Sequence, residues 1–163
     1  MLREREREWI AEATGAVPLS ATPLAGGTHA ETFLVLPQDL VLRRIPPEDG
    51  AAAREQRILS LLAEVAGPFP RLIAVYPDGD ETGSPCVLVS RLPGKADALP
   101  NNPSLAAREL ASALARVHAT DLPAESGLRD LTDRVRARRP EILPASSGGP
   151  VFSHGDFWSG NAL

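Results

Sequence analysis

The sequence predicts an α+β chain in which strands come first and helices follow. Three observations carry that expectation. The short apolar runs rich in Val, Leu and Ile, bounded by Pro and Gly, all lie before or end at Leu92. The longest amphipathic helical stretch, 103–118, lies after it. Between them stand Pro93-Gly94 and a polar, irregular segment at 95–102. The expected domains are a strand-rich 1–92 and a helix-rich 93–163, with the boundary near Pro93-Gly94.

Each element has its own signal. Residues 2–14 read as a helix, with Leu2, Trp9, Ile10 and Ala13 on one face and alternating Arg and Glu at helical spacing. Pro23–Ala30 contains a glycine turn. Residues 32–36 and 40–45 read as strands, with Pro37-Gln38-Asp39 as the reversal between them and Pro46-Pro47 as the stop. A helix is expected at about 51–66, striped by Ile58, Leu59, Leu62 and Val65 and ended by Gly67-Pro68. Residues 72–76 and 86–92 read as two more strands. Asn102 is placed to cap a helix that has Pro103 at its first position and runs to about His118, with Leu110, Leu114 and Val117 on one face. The segment 121–150 is rich in Pro, Ser and Gly around a short helix near 128–139. No internal repeat is present.

Composition narrows the function classes. A hydrophobic content of 43% is enough for a core, and 16 Pro and 13 Gly predict many turns. The net charge of −4 gives no global attraction to nucleic acid or anionic lipid, so neither is an expected partner. The basic run Arg134–Arg139 reads as a solvated helix face. One Cys excludes an internal disulfide, and Cys86 reads as a small core residue. Met1–Glu8 is charged where a signal peptide is apolar, and no apolar run reaches the roughly 18 residues that span a membrane. A cytoplasmic location is expected. Lys95 is the only lysine, so a cation needed elsewhere must be Arg.

The chemistry-bearing motif lies at the end of the chain, Ser153-His154-Gly155-Asp156-Phe157-Trp158-Ser159-Gly160-Asn161. An Asp five positions ahead of an Asn, just after His-Gly, has the spacing of a kinase catalytic loop. A carboxylate there can accept the proton of a substrate hydroxyl, and an amide oxygen suits a hard cation that also binds phosphate. A zinc reading of His154 is poor, because no partner ligand lies near it at zinc spacing. Ser153, His154 and Asp156 are too close in sequence to line up as a hydrolase triad, and no G-x-S-x-G elbow exists.

The element order and this motif together resemble the aminoglycoside phosphotransferase family, which shares the protein-kinase fold. The resemblance covers nearly the whole chain but only the first half to two-thirds of a family member. It implies a protein-kinase-like fold, ATP or GTP as donor, Mg2+, and a small-molecule hydroxyl as acceptor. It makes 1–92 a nucleotide-binding lobe of antiparallel sheet with one key helix, 93–163 an incomplete helical lobe, Asp156 the catalytic base and Asn161 a magnesium ligand. Gly26, Gly27, Thr28 and His29 would form the glycine turn over the phosphates, although the kinase G-x-G-x-x-G is absent and a double glycine between strands is also a plain hairpin turn. Leu40-Val41-Leu42-Arg43 matches the kinase frame V-A-I-K with Arg in the Lys position, so Arg43 would bind phosphates and pair with Glu55. Arg44, its neighbour, would point to the opposite face. Residues 87–94 resemble the interlobe hinge, with Ser90, Arg91 and Leu92 as candidates to meet the adenine edge.

Two functions follow. The first is transfer of a nucleotide's γ-phosphate to an aminoglycoside or another sugar or alcohol, with a ketosamine acceptor open because Trp158-Ser159-Gly160-Asn161 also resembles the fructosamine kinase family. The second is a non-catalytic kinase-like remnant that binds nucleotide or a partner. The chain stops two residues past Asn161, and the resemblance puts a second acidic metal ligand on the next hairpin. On that ground residues 1–163 alone are expected to be inactive, and the incomplete lobe is expected to self-associate through exposed apolar positions such as Leu110 and Leu114.

Overall fold

The computed structural model describes residues 1–24, 30–47, 50–65, 67, 69–76, 83–94, 97, 99–122, 126, 128, 137–138 and 152–153. It divides into two units, Met1–Pro93 and Gly94–Leu163. The first holds α1 (Glu4–Thr14), β1 (Ser20–Pro23), β2 (Glu31–Leu36), β3 (Leu40–Arg44), α2 (Ala51–Leu61), β4 (Leu72–Tyr76) and β5 (Cys86–Ser90). The second holds α3 (Pro103–His118). The architecture is α+β, with one antiparallel sheet in the order β1-β2-β3-β5-β4.

The sheet is covered on both faces. Phe33, Val35, Leu42, Cys86 and Leu88 pack with Leu2 and Ile10 from the α1 region. Ala30, Ile45, Val87 and Val89 pack with Ala52 and Leu59 of α2. Alternation along each strand divides the side chains in this way. It also explains the unbroken apolar run Cys86–Val89, since β5 is buried on both faces. Leu42 and Leu88 are cross-strand partners with no exposed surface, and full burial of each is worth about 1.5–3 kcal/mol.

Several elements differ from their sequence signals. β1 has no apolar alternation and contains Pro23, so nothing in it reads as a strand. It forms because β2 offers a partner, with Ser20 opposite Leu36 and Pro23 opposite Phe33, and an edge position tolerates proline. β5 ends at Ser90 rather than Leu92. α2 ends at Leu61 rather than near 66, because the chain tightens there and the Ala63 amide donates back only three residues, to the Ser60 carbonyl. In α1, Ala13 is exposed and Glu6 is buried in its stead. Gly15 closes α1 at φ 74°, a left-handed turn that costs glycine nothing, with its amide donating to the Ala11 carbonyl at 2.8 Å.

α3 begins as expected. The Asn102 Oδ1 accepts the Leu105 amide at 3.1 Å, and Pro103 occupies the first turn, where its missing N–H leaves no gap. Val117 is buried, and Leu110 and Leu114 are partly buried. Of the helix expected near 128–139, only 128, 137 and 138 are among the described residues, and 137–138 are helical.

Candidate functional site

β3 is the middle strand of the sheet, and it ends in two adjacent arginines that face opposite ways. On the α2 face, Arg43 Nη1 donates to Glu55 Oε1 at 2.5 Å. The strand fixes the Cβ of Arg43 between its cross-strand partners Thr32 and Val87. α2 supplies Glu55 from its second turn. The Glu55 side chain is 18% exposed and that of Arg43 38%. Glu55 is thus the fixed end of the pair and Arg43 the end that reaches solvent. Among the described residues, Nε and Nη2 of Arg43 make no further hydrogen bond, so they can take a phosphate or carboxylate oxygen while Nη1 stays tethered.

On the α1 face, Arg44 is buried and fully engaged. Its Nε donates to Glu6 Oε1 at 2.7 Å and its Nη2 to Glu6 Oε2 at 2.8 Å, a bidentate fork. Its Nη1 donates to Glu31 Oε2 at 2.6 Å, and its Nη2 also lies 3.4 Å from the Met1 carbonyl. The guanidinium sits 4.9 Å from the centre of the Phe33 ring. Glu6 has no exposed surface, and its Oε2 also accepts the Arg3 amide at 2.7 Å, which closes the start of α1. One carboxylate therefore caps its own helix and holds the sheet. The hydrogen bonds that Arg44 donates to Glu6 push it above even the ordinary arginine range, against the opposing effect of burial.

Glu31 shows the same network from its wet side. Its carboxyl is held below the usual carboxylate range, first by the hydrogen bond from Arg44 and then by the Arg44 charge. A folded-state pKa lowered from 4.5 gives stability that is present above that value and is lost as pH falls through the folded one. The side chain is 65% exposed, so the effect is screened. Glu31→Gln is expected to flatten the fall of the melting temperature between about pH 5 and pH 3. Parallel acid profiles for the two proteins would remove Glu31 from the pH response.

The sequence reading missed Glu6. A Glu three residues into a helix, together with an Arg on the apolar face of a strand, was the available signal. Ser90 is differently placed from its expected role. Its amide donates to the Arg71 carbonyl and its hydroxyl accepts the Arg71 amide, each at 2.8 Å, so both groups tie β5 to the start of β4. Arg91 reaches the exposed Asp39 at 3.0 Å, a link between the segment after β5 and the β2–β3 turn. Leu92 follows the strand end and is partly buried. Gly26, Gly27, Thr28, His29, His154, Asp156 and Asn161 lie outside the described residues. Among the described residues no group of three or more His, Cys, Asp or Glu is placed to hold a metal ion, and no helix is long and apolar enough to cross a membrane.

A five-stranded antiparallel sheet whose middle strand is joined by the Arg43–Glu55 pair to α2 has the architecture of a protein-kinase-like N-terminal lobe. Similarity to known proteins agrees. The family model described as the phosphotransferase enzyme family, APH, matches residues 20–146, and the chain belongs to that family. Among solved structures, a protein of Ralstonia eutropha JMP134 provisionally described as an aminoglycoside phosphotransferase is 23% identical, with a TM-score of 0.55 over 72% of this chain and 38% of that one. APH(2")-IIa in its gentamicin complex is 14% identical, with a TM-score of 0.59 over 84% of this chain and 48% of that one. The GDP and kanamycin complex of APH(2")-IIIa is 17% identical, with a TM-score of 0.55 over 87% of this chain and 53% of that one. The chain therefore spans about two-fifths to one-half of the length of these structures. No curated protein matches it.

Proposed function

We propose that this chain carries the nucleotide-handling part of a phosphotransferase that moves the γ-phosphate of ATP or GTP to a hydroxyl of a small molecule. The observation that carries the reading is the Arg43–Glu55 pair, a partly exposed guanidinium tethered at one nitrogen and, among the described residues, open at the others. Membership of the phosphotransferase enzyme family supports it. So do the fold relatives, which include complexes with GDP and kanamycin and with AMP-PNP and hygromycin B. Those acceptors make an aminoglycoside or related sugar alcohol the first acceptor class to try.

In this reading residues 1–92 form the nucleotide lobe and residues 93–163 begin the helical lobe, in a cytoplasmic protein. Gly26–His29 approach the phosphates with backbone amides, and Arg43 steadies phosphate oxygens. Leu92, whose strand has ended, is the better candidate for the adenine edge than Ser90, whose amide and hydroxyl serve Arg71. Asp156 orients the acceptor hydroxyl and takes its proton. Asn161 is assigned to hold magnesium, whose charge offsets that of the transferred phosphoryl group.

The test is nucleotide binding, followed by nucleoside diphosphate release across a panel of aminoglycosides, sugars, amino alcohols and ketosamines. Arg43→Ala is expected to weaken nucleotide binding about tenfold or more, the loss of a charge-assisted hydrogen bond of roughly 1.5–3 kcal/mol. An unchanged dissociation constant would refute the role of Arg43. Binding without turnover is the outcome expected of residues 1–163 alone, and turnover on any acceptor would overturn the expectation that they are inactive.

A further inference from the structure

The Glu6–Arg44 pair is more specific than adhesion between a helix and a sheet requires. Taking two charges out of water is costly, and apolar side chains of similar volume often hold such an interface as well or better. What an apolar contact cannot do is fix a direction. Glu6 grips Arg44 with both carboxylate oxygens, Glu31 takes a third guanidinium nitrogen, and Phe33 underlies the group. The end of β3 is thereby held in rotation about its own axis as well as in register. Arg43 is the preceding residue of the same strand, and it faces away from Arg44 by the alternation of the pleat. Arg43 and Arg44 thus share one stretch of β3 backbone, and the contacts that hold one bear on the other.

We propose that Glu6 is a positioning residue for Arg43, acting through Arg44 and the β3 backbone, so that helix α1 sets the geometry with which the opposite face of the sheet presents its guanidinium to nucleotide phosphate. This rests on the reading of Arg43 as a phosphate ligand. α1 is then part of the donor site although it lies on the other side of the sheet. The chain of connection is short and consists of contacts given above: Glu6 to Arg44, one peptide unit to Arg43, and Arg43 to Glu55.

The test is a double-mutant cycle read by nucleotide affinity well below every melting transition, with Glu6→Gln, Arg43→Ala and the double variant in the full chain. Glu31→Gln is the second probe, because Glu31 is exposed enough to be replaced without unfolding the protein. Glu6→Gln is expected to weaken nucleotide binding about threefold or more in the parent and to add nothing once Arg43 is gone. Glu31→Gln is expected to act in the same direction and more weakly. The slowed rotation of the Arg43 guanidinium, seen by nitrogen NMR without nucleotide, should be lost in Glu6→Gln. A lower melting temperature with unchanged affinity and an unchanged Arg43 signal would overturn the positioning role and leave the reading of Arg43 intact. An equal loss of affinity in both backgrounds would overturn it too. If Arg43→Ala itself binds nucleotide like the parent, both readings fall.

Discussion

In any form of this protein that turns over, replacing Asp156 with Asn is expected to cut phosphoryl transfer by about 10²–10⁴-fold, the range that a positioned general base contributes. Asn keeps the size and the hydrogen-bonding oxygen of Asp but cannot take the acceptor's proton at neutral pH. Nucleotide affinity and melting temperature should stay close to the parent's, since the change adds no bulk. This separates Asp156 from Arg43, whose loss is expected in binding. The measurement is nucleoside diphosphate release at saturating acceptor, with affinity determined in parallel. Turnover within a few-fold of the parent would remove Asp156 as the base and turn attention to a residue outside the His-Gly-Asp motif.

Glu6→Ala is expected to give the largest loss of stability, about 3 kcal/mol. Breaking a buried ion pair by deleting one partner typically costs roughly 3–5 kcal/mol, because the remaining charge is left without its counterpart in a mostly buried position. The lower end applies here, since Glu31 still holds one nitrogen of Arg44. The same substitution also strips the Arg3 amide of its acceptor at the start of α1. Denaturant melts of the parent and the variant give the difference directly. A loss under about 1 kcal/mol, the scale of an exposed pair, would mean that water or Glu31 takes over the role of Glu6.

The parts of this fold that the sequence shows plainly are those whose residues act locally. The β2, β3 and β5 runs carry their apolar patterns themselves, and the start of α3 is written in Asn102-Pro103. The Arg43–Glu55 contact was legible because strand, helix and spacing match a familiar frame. β1 was not legible, because Ser20–Pro23 becomes a strand only by borrowing the hydrogen bonds of β2. Glu6 was not legible either. Within Arg3–Glu8 it looks like one more member of a solvated Arg/Glu alternation, and only Arg44, 38 residues on, makes it a core residue. The tie between Ser90 and Arg71 was not legible for a related reason, since Arg71 lies 19 residues back.

That separation also fixes an order of events as the chain is made. Glu6 is synthesised 38 residues before the arginine that closes on it and 80 before Cys86, whose sulfur ends up 3.9 Å from the same carboxylate. Until β3 and β5 exist, the Glu6 carboxylate has neither Arg44 nor Cys86 beside it. The β2–β3 hairpin, by contrast, has both strands in hand within a few residues of each other. α1 is thus made before the strands that bury its carboxylate, and its seating waits on them.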